Sequence, residues 1–149
     1  MVVSIQSVLM KEENLDACIE LYQNVFNSSP WNENWTVETA KERLSDLLNT
    51  PKFLGYVFYE SGQLIGFIAG NSKKTDNGLT FYIAELCVNN KIQGKGYGTK
   101  MLNGFEVELK RREIQSLYLL TAKEGLAQAF YEKNGFRVNE NRIVMNKAL

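Results

Sequence analysis

Apolar positions along the chain change period several times, and each change marks an element. Val3 and Ile5 mark a first strand, with Val8 and Leu9 as candidates to extend it. From Asn14 the spacing turns helical: Leu15, Cys18, Ile19, Tyr22 and Phe26 fall on one face, and Asn14 is placed to cap it. Asn27-Ser28-Ser29-Pro30 breaks this helix, and Trp31-Asn32-Glu33-Asn34-Trp35 forms a connection of unusual composition. Thr36 opens a second helix through Leu48, with Val37, Ala40, Leu44, Leu47 and Leu48 as its apolar stripe, and Asn49-Thr50-Pro51 ends it. Strands at Phe53 to Glu60 and Leu64 to Ala69 flank Ser61-Gly62-Gln63, a tight hairpin signal. A polar loop from Asn71 to Gly78 leads into a strand from Thr80 to Val88.

The second half continues the alternation of strands and helices. A glycine-rich segment, Gln93 to Gly98, precedes a third helix with Met101, Leu102, Phe105 and Leu109 on one face. Glu106–Lys110 and Glu108–Arg112 are favourable pairs on the other. Ser116 to Ala122 is an almost unbroken apolar run, the pattern of a strand covered on both faces. A short helix through Ala127, Phe130 and Tyr131 stops at Asn134-Gly135, and Phe136 to Val138 and Ile143 to Met145 read as two closing strands. The expected order is β-α-α-β-β-β-α-β-α-β-β, a single α/β domain over residues 1–149 with a mixed sheet.

Composition narrows the function classes. Seventeen basic residues balance seventeen acidic ones, so no global field draws the chain to nucleic acid. Histidine is absent, which excludes Ser-His-Asp and Cys-His nucleophile systems and removes the usual ligand of a catalytic zinc, so no metal is expected. Any base must be a carboxylate, a tyrosine, a lysine or a water. Cys18 and Cys87 lie in apolar segments far apart, as expected for two buried thiols in a reducing compartment rather than a disulfide. No apolar run is long enough to cross a membrane, and the start of the chain lacks the pattern of a secretion signal. The expected address is therefore cytoplasmic.

The clearest chemistry lies in Gln93-Gly94-Lys95-Gly96-Tyr97-Gly98. Glycines between a strand and a helix let ligand atoms approach the backbone, and the unpaired N–H groups of a helix start prefer an anion. Lys91, Lys95 and Lys100 add positive charge, with no acid among residues 89–100. The loop is a phosphate cradle, but it is neither a Walker loop, since Gly96 follows Lys95, nor a dinucleotide fingerprint, since Thr99 and Met101 stand where a third glycine is required.

With its Q-x-x-G-x-G at Gln93, Gly96 and Gly98, the sequence resembles the GNAT superfamily of acyl-CoA-dependent N-acyltransferases. A second match is Ala127-Gln128-Ala129-Phe130-Tyr131-Glu132-Lys133-Asn134-Gly135-Phe136, which is similar to that family's A-x-x-x-Y-E-K-x-G-F signature. The resemblance implies an acetyl-CoA co-substrate, with Gln93, Gly94, Lys95, Gly96, Tyr97, Gly98 and Thr99 on its pyrophosphate. It places Leu86, Cys87 and Val88 on the pantetheine arm, with the N–H of Leu86 or Cys87 on the thioester carbonyl. It implies Tyr131 as the acid that protonates the leaving thiolate. Glu124 stands where the family often has an asparagine, which puts a side-chain contact to pantetheine there in doubt.

Glu85 has two readings. Strict alternation places it on one face with Phe81, Ile83 and Cys87, where burial raises a carboxyl toward the range of a useful base, acting directly or through water. Alternatively, a bulge turns it away, or it forms a structural ion pair with a lysine. Trp31, Glu33 and Trp35 suit a cationic amine acceptor or else anchor the two helices. The connection, together with Glu85-Leu86-Cys87-Val88, faintly resembles the aminoglycoside 6′-N-acetyltransferase-like branch. The expected acceptor is a small primary amine. Protein or peptide N-acetylation and a non-catalytic acetyl-CoA-binding module are the alternatives. Neither nucleic acid nor membrane is an expected partner, and the resemblance leaves a homodimer open.

Overall fold

The computed structural model describes residues 5–92 and 95–149, which form a mixed α/β fold. Among the described residues, five strands and four α-helices run in the order β1 (Gln6–Leu9), α1 (Leu15–Phe26), α2 (Val37–Leu48), β2 (Phe53–Glu60), β3 (Gln63–Lys74), β4 (Leu79–Val88), α3 (Tyr97–Arg111), β5 (Ser116–Tyr118) and α4 (Leu126–Lys133). The chain forms two compact units, one ending at Leu119 and one spanning Leu120–Leu149. No helix among the described residues is long and apolar enough to cross a membrane.

In the first unit the sheet keeps its strands in sequence order, antiparallel from β1 to β4 and parallel between β4 and β5. Ser61 and Gly62 both have positive φ (49° and 77°), the backbone of a two-residue hairpin whose twist matches its strands. On one sheet face Val57, Phe67, Ala69 and Cys87 pack with Cys18, Ile19 and Tyr22 of α1 and Ala40 and Leu44 of α2. On the other face Phe105 of α3 meets the rings of Tyr56 and Phe81 at 6.1 and 5.3 Å. Thr36 caps α2 as expected, its Oγ1 accepting the Thr39 N–H at 3.0 Å. Asn14 instead accepts the Lys11 N–H at 2.8 Å, closing the turn before α1.

Three boundaries differ from the sequence reading. β3 continues through Asn71–Lys74, because that polar segment pairs with Leu79–Tyr82. β5 stops at Tyr118 instead of reaching Ala122: its parallel ladder ends opposite Tyr82, just before β4 bulges. The strands expected at Phe136 to Val138 and Ile143 to Met145 do not form, and residues 136–149 carry no regular element. Their alternation is a local signal, whereas a strand is completed by a ladder, and residues 120–149 contain no strand to build one with. On α3, Glu108 pairs with Arg111 at 2.8 Å rather than forming the expected pair with Arg112.

Glycines on β3 bring the sheet's own backbone close. A Cβ on Gly70 would drive into the Tyr82 carbonyl oxygen, and one on Gly66 into that of Cys87, whereas one on Gly104 would only touch Phe58 at 3.9 Å. Gly70→Ala is therefore expected to cost about 3 kcal/mol in urea unfolding. Gly104→Ala, inside α3, is expected to stabilise by about 0.5–1 kcal/mol. Equal effects of the two would contradict this packing.

Candidate active site

The bulge in β4 decides which way Glu85 points. Ala69 pairs with Glu85 and the next residue, Gly70, with Ile83, so β4 inserts one extra residue, Ala84, at this point. Neighbouring residues on β3 face opposite sides and cross-strand partners share a side. Glu85 and Ile83, two apart in sequence, therefore lie on opposite faces. This corrects the strict alternation: Phe81 and Ile83 stay on the α3 face, while Glu85 and Cys87 turn toward α1 and α2.

There Glu85 is 6% exposed. Its Oε1 accepts two hydrogen bonds, from the Tyr22 hydroxyl at 3.2 Å and from Arg43 Nε at 3.1 Å. Burial pushes the carboxyl above the usual carboxylate range, against the pull of Arg43 and of the Tyr22 bond. The lysine considered from sequence is thus an arginine, and it arrives from α2. Burial, reinforced by the charge of Glu85, also holds the Tyr22 phenol well above its ordinary value. Tyr22 is therefore a donor to Glu85 and not itself a base.

The connection between α1 and α2 supports this cluster. Asn27, at the end of α1, holds Trp35 by both sides of its amide: its Oδ1 accepts the Trp35 N–H at 2.7 Å and its Nδ2 donates to the Trp35 carbonyl at 2.9 Å. Gln23 Nε2 donates to the same carbonyl at 3.2 Å. So fixed, the Trp35 ring meets Tyr22 edge-on at 5.1 Å and carries the Arg43 guanidinium 5.9 Å from its centroid. Glu33 accepts the Trp35 indole N–H at 2.7 Å. Trp31 packs on Phe26 at 5.1 Å and remains 43% exposed. The two tryptophans therefore differ: Trp35 props the Glu85 cluster, and Trp31 presents an open ring.

Both thiols are free and buried. Burial pushes Cys18 up to about 12, and burial with the charge of Glu85 holds Cys87 well above its ordinary value, so neither is a ready nucleophile. Beside them runs a backbone edge. The Asn89 N–H donates to the Ile65 carbonyl at 2.7 Å, so in an antiparallel ladder the Cys87 N–H also faces β3. Leu86 and Val88 direct their N–H and C=O groups to the opposite edge, where the β5 ladder has already ended at Tyr82. Among the described residues of this unit, no strand pairs with that stretch of backbone.

Gln93 and Gly94 lie outside the described residues. After them Lys95 is exposed and Gly96 adopts a left-handed conformation (φ 69°) at the start of α3. The Lys100 N–H returns to the Gly96 carbonyl at 3.1 Å, and among the described residues the N–H groups of Tyr97, Gly98 and Thr99, in the first turn of the helix, have no backbone partner. The Tyr97 side chain does not serve the cradle: its hydroxyl donates to Glu60 at 2.8 Å, at the end of β2. The arrangement fits a phosphate through backbone N–H groups and the α3 dipole.

In the second unit Tyr131 lies on α4, half-buried, with its ring against Phe130 at 5.2 Å and Phe136 at 5.5 Å. Gly135 ends that helix with φ 94°. Glu124 has positive φ (62°), and its N–H donates to Gln128.

Sequence reasoning missed Arg43, Asn27 and the role of Tyr22. Tyr22 carried the signal of a core position, and Arg43 sits on the polar face of its helix, where nothing local marks it.

The model of the acetyltransferase (GNAT) family matches residues 15–136. The uncharacterized protein YxbD of Bacillus subtilis (strain 168) is 31% identical over 95 residues, a match spanning 59% of this chain and 58% of that protein. A possible acetyltransferase from Clostridium difficile 630 superposes with a TM-score of 0.81 at 17% identity, covering 97% of this chain and 98% of that one. The aminoglycoside N-acetyltransferase AAC(6′)-Iy in complex with CoA gives a TM-score of 0.75 at 13% identity over 99% and 97% of the two chains.

Proposed function

From the premise that the chain belongs to the acetyltransferase (GNAT) family, and so to the acyl-CoA-dependent transferases, we propose that it moves an acetyl group from acetyl-CoA onto a primary amine of a small molecule. The observation that carries this reading is Glu85, a buried carboxyl raised by its surroundings, one residue from the open edge of β4. The two free, buried thiols are in keeping with a reducing, cytoplasmic setting. Residues 1–149 act as one working domain in this reading, since the family match runs through both units.

Bound acetyl-CoA supplies an acyl carbon activated by its thioester. The N–H groups of Tyr97, Gly98 and Thr99 hold its pyrophosphate, with Lys95 and Lys100 adding charge, and Gln93 and Gly94 complete the loop on the strength of the motif. Leu86 and Val88 hold the pantetheine amides as a further strand would be held. The Leu86 N–H stabilises charge developing on the acyl oxygen, a role the Cys87 N–H cannot take because it serves β3. Glu85 receives the proton of the attacking amine, directly or through water, while the C–N bond forms. As the C–S bond breaks, Tyr131 gives its phenolic proton to the departing sulfur. Trp31 and Glu33 present an aromatic face and a carboxylate at the acceptor entrance. Aminoglycosides belong in the acceptor panel, because one protein of the same fold acts on them by name.

Tyr131→Phe is expected to lower kcat by about 100-fold or more while CoA affinity stays native. Unchanged turnover removes Tyr131 as the acid. The reaction itself is tested by identifying N-acetylated product across aminoglycosides, polyamines, amino acids and short peptides. Initial-rate patterns that intersect fit direct attack, and parallel, ping-pong patterns contradict it.

A further inference from the structure

The bulge that turns Glu85 toward α1 and α2 also decides what shares its face. Ala69 pairs with Glu85, Asn71 with Tyr82 and Lys73 with Thr80, while Tyr82 pairs across β5 with Tyr118. Residues 69, 71 and 73 of β3 share one side, so Glu85, Tyr82, Lys73 and Tyr118 all belong to it. Tyr82 and Tyr118 stack at 5.0 Å with their planes 28° apart. Lys73 donates to the Tyr118 hydroxyl at 2.7 Å, with its ammonium 5.7 and 5.5 Å from the two ring centroids. Glu85, which Arg43 bonds, is on the same side of β4 as Tyr82, and this joins the platform to the Glu85 cluster.

Two cations here have bonding capacity that no carboxylate takes up among the described residues. Arg43 gives Nε to Glu85, so its two terminal nitrogens remain, on a side chain 56% exposed. No second carboxylate bonds to Arg43 among the described residues. Lys73 has a phenol and two ring faces for neighbours but no carboxylate. Lys73 thus stands over the Tyr82 and Tyr118 rings and Arg43 over Trp35, while the two nearby carboxylates, Glu85 and Glu33, are engaged by Arg43 Nε and the Trp35 indole. A guanidinium with its outer edge free is suited to a flat anion gripped by two parallel hydrogen bonds.

We propose that the acceptor carries, besides its reacting amine, a carboxylate that docks on the terminal nitrogens of Arg43, over a floor of Tyr82, Tyr118 and Lys73. The inference rests on the transferase reading above and narrows its acceptor to amino-acid-like amines, at the expense of polycations. An amine without an anionic group leaves the terminal nitrogens of Arg43 and the Lys73 ammonium to water, and a polycation adds repulsion to both.

The test uses matched acceptors that differ in the anion: tyrosine against tyramine, lysine against cadaverine, and phosphoethanolamine against ethanolamine, each followed by thiol release from acetyl-CoA. The carboxylate-bearing member is expected to have the higher kcat/KM by about 10- to 100-fold, mainly through KM. Arg43→Lys keeps a charge and one donor for Glu85 but loses the fork, and should bring that ratio close to parity through KM. Lys73→Gln should narrow it part of the way. If tyramine and cadaverine do as well as their amino acids, or the ratio survives Arg43→Lys, the carboxylate dock is wrong and the transferase reading stands. Preference confined to phosphoethanolamine replaces the carboxylate by a phosphate and overturns the proposal as stated. Thiol release with no acceptor at all overturns both readings.

Discussion

Glu85→Gln is expected to lower kcat by about 100-fold or more while leaving the folded state at neutral pH as stable as before, or more so. The amide is isosteric and its oxygen still accepts from Tyr22 and Arg43, so the cluster keeps its shape. What it loses is the ability to take a proton, which general-base catalysis makes worth about 10²–10⁴-fold. The stability effect follows from the raised pKa. A carboxyl whose folded pKa lies above its unfolded value binds its proton more tightly when folded. Its ionisation therefore weakens folding above the folded pKa, and that penalty disappears as pH falls below the unfolded value. Glutamine never carries the penalty, and Arg43, 56% exposed, remains hydrated without its partner. The same shift places the acid limb of kcat/KM above the ordinary carboxylate range in the wild type, and the limb should vanish in the variant. Rate–pH profiles and urea unfolding check both halves. Wild-type turnover in Glu85→Gln would make Glu85 a structural acid.

Gly96→Glu is expected to weaken CoA binding by more than about 100-fold without unfolding the protein. Gly96 begins α3 at φ 69°, where an L-residue costs about 1–2 kcal/mol, yet a Cβ there meets nothing within 4 Å. Folding is therefore strained but not blocked, and a carboxylate at a helix start offsets part of the strain. The same carboxylate occupies the cradle and repels a diphosphate. Gly96→Asn separates the two effects, since asparagine tolerates this backbone and carries no charge, and it should retain most of the affinity. Titration calorimetry with CoA, beside circular dichroism of both variants, reads the outcome. A folded Gly96→Glu protein with native affinity would place the pyrophosphate elsewhere.

Much of the fold was legible because its signals are local. The stripe from Leu15 to Phe26, the Thr36 cap and the Ser61-Gly62 turn each depend on residues within a few positions of one another. The glycine turn feeding α3 was legible for the same reason. The face of Glu85 was not, because one extra residue at Ala84 inverts everything after it and no residue type demands that bulge. Arg43 was hidden by distance, since its bond to Glu85 spans 42 positions and forms only once α2 lies across the bulged strand. The closing strands were over-read because alternation at Ile143 to Met145 describes half of a ladder. In the connection between α1 and α2, Trp31 and Trp35 carry the same side chain, and only Asn27 and Gln23 separate the anchor from the open ring.

The most direct test of the account is thiol release from acetyl-CoA by the full chain, measured with and without a panel of primary amines. The account predicts release that depends on an amine, saturates with it and falls about 100-fold or more in Glu85→Gln. Release that no amine stimulates, in a protein that binds CoA, would contradict it.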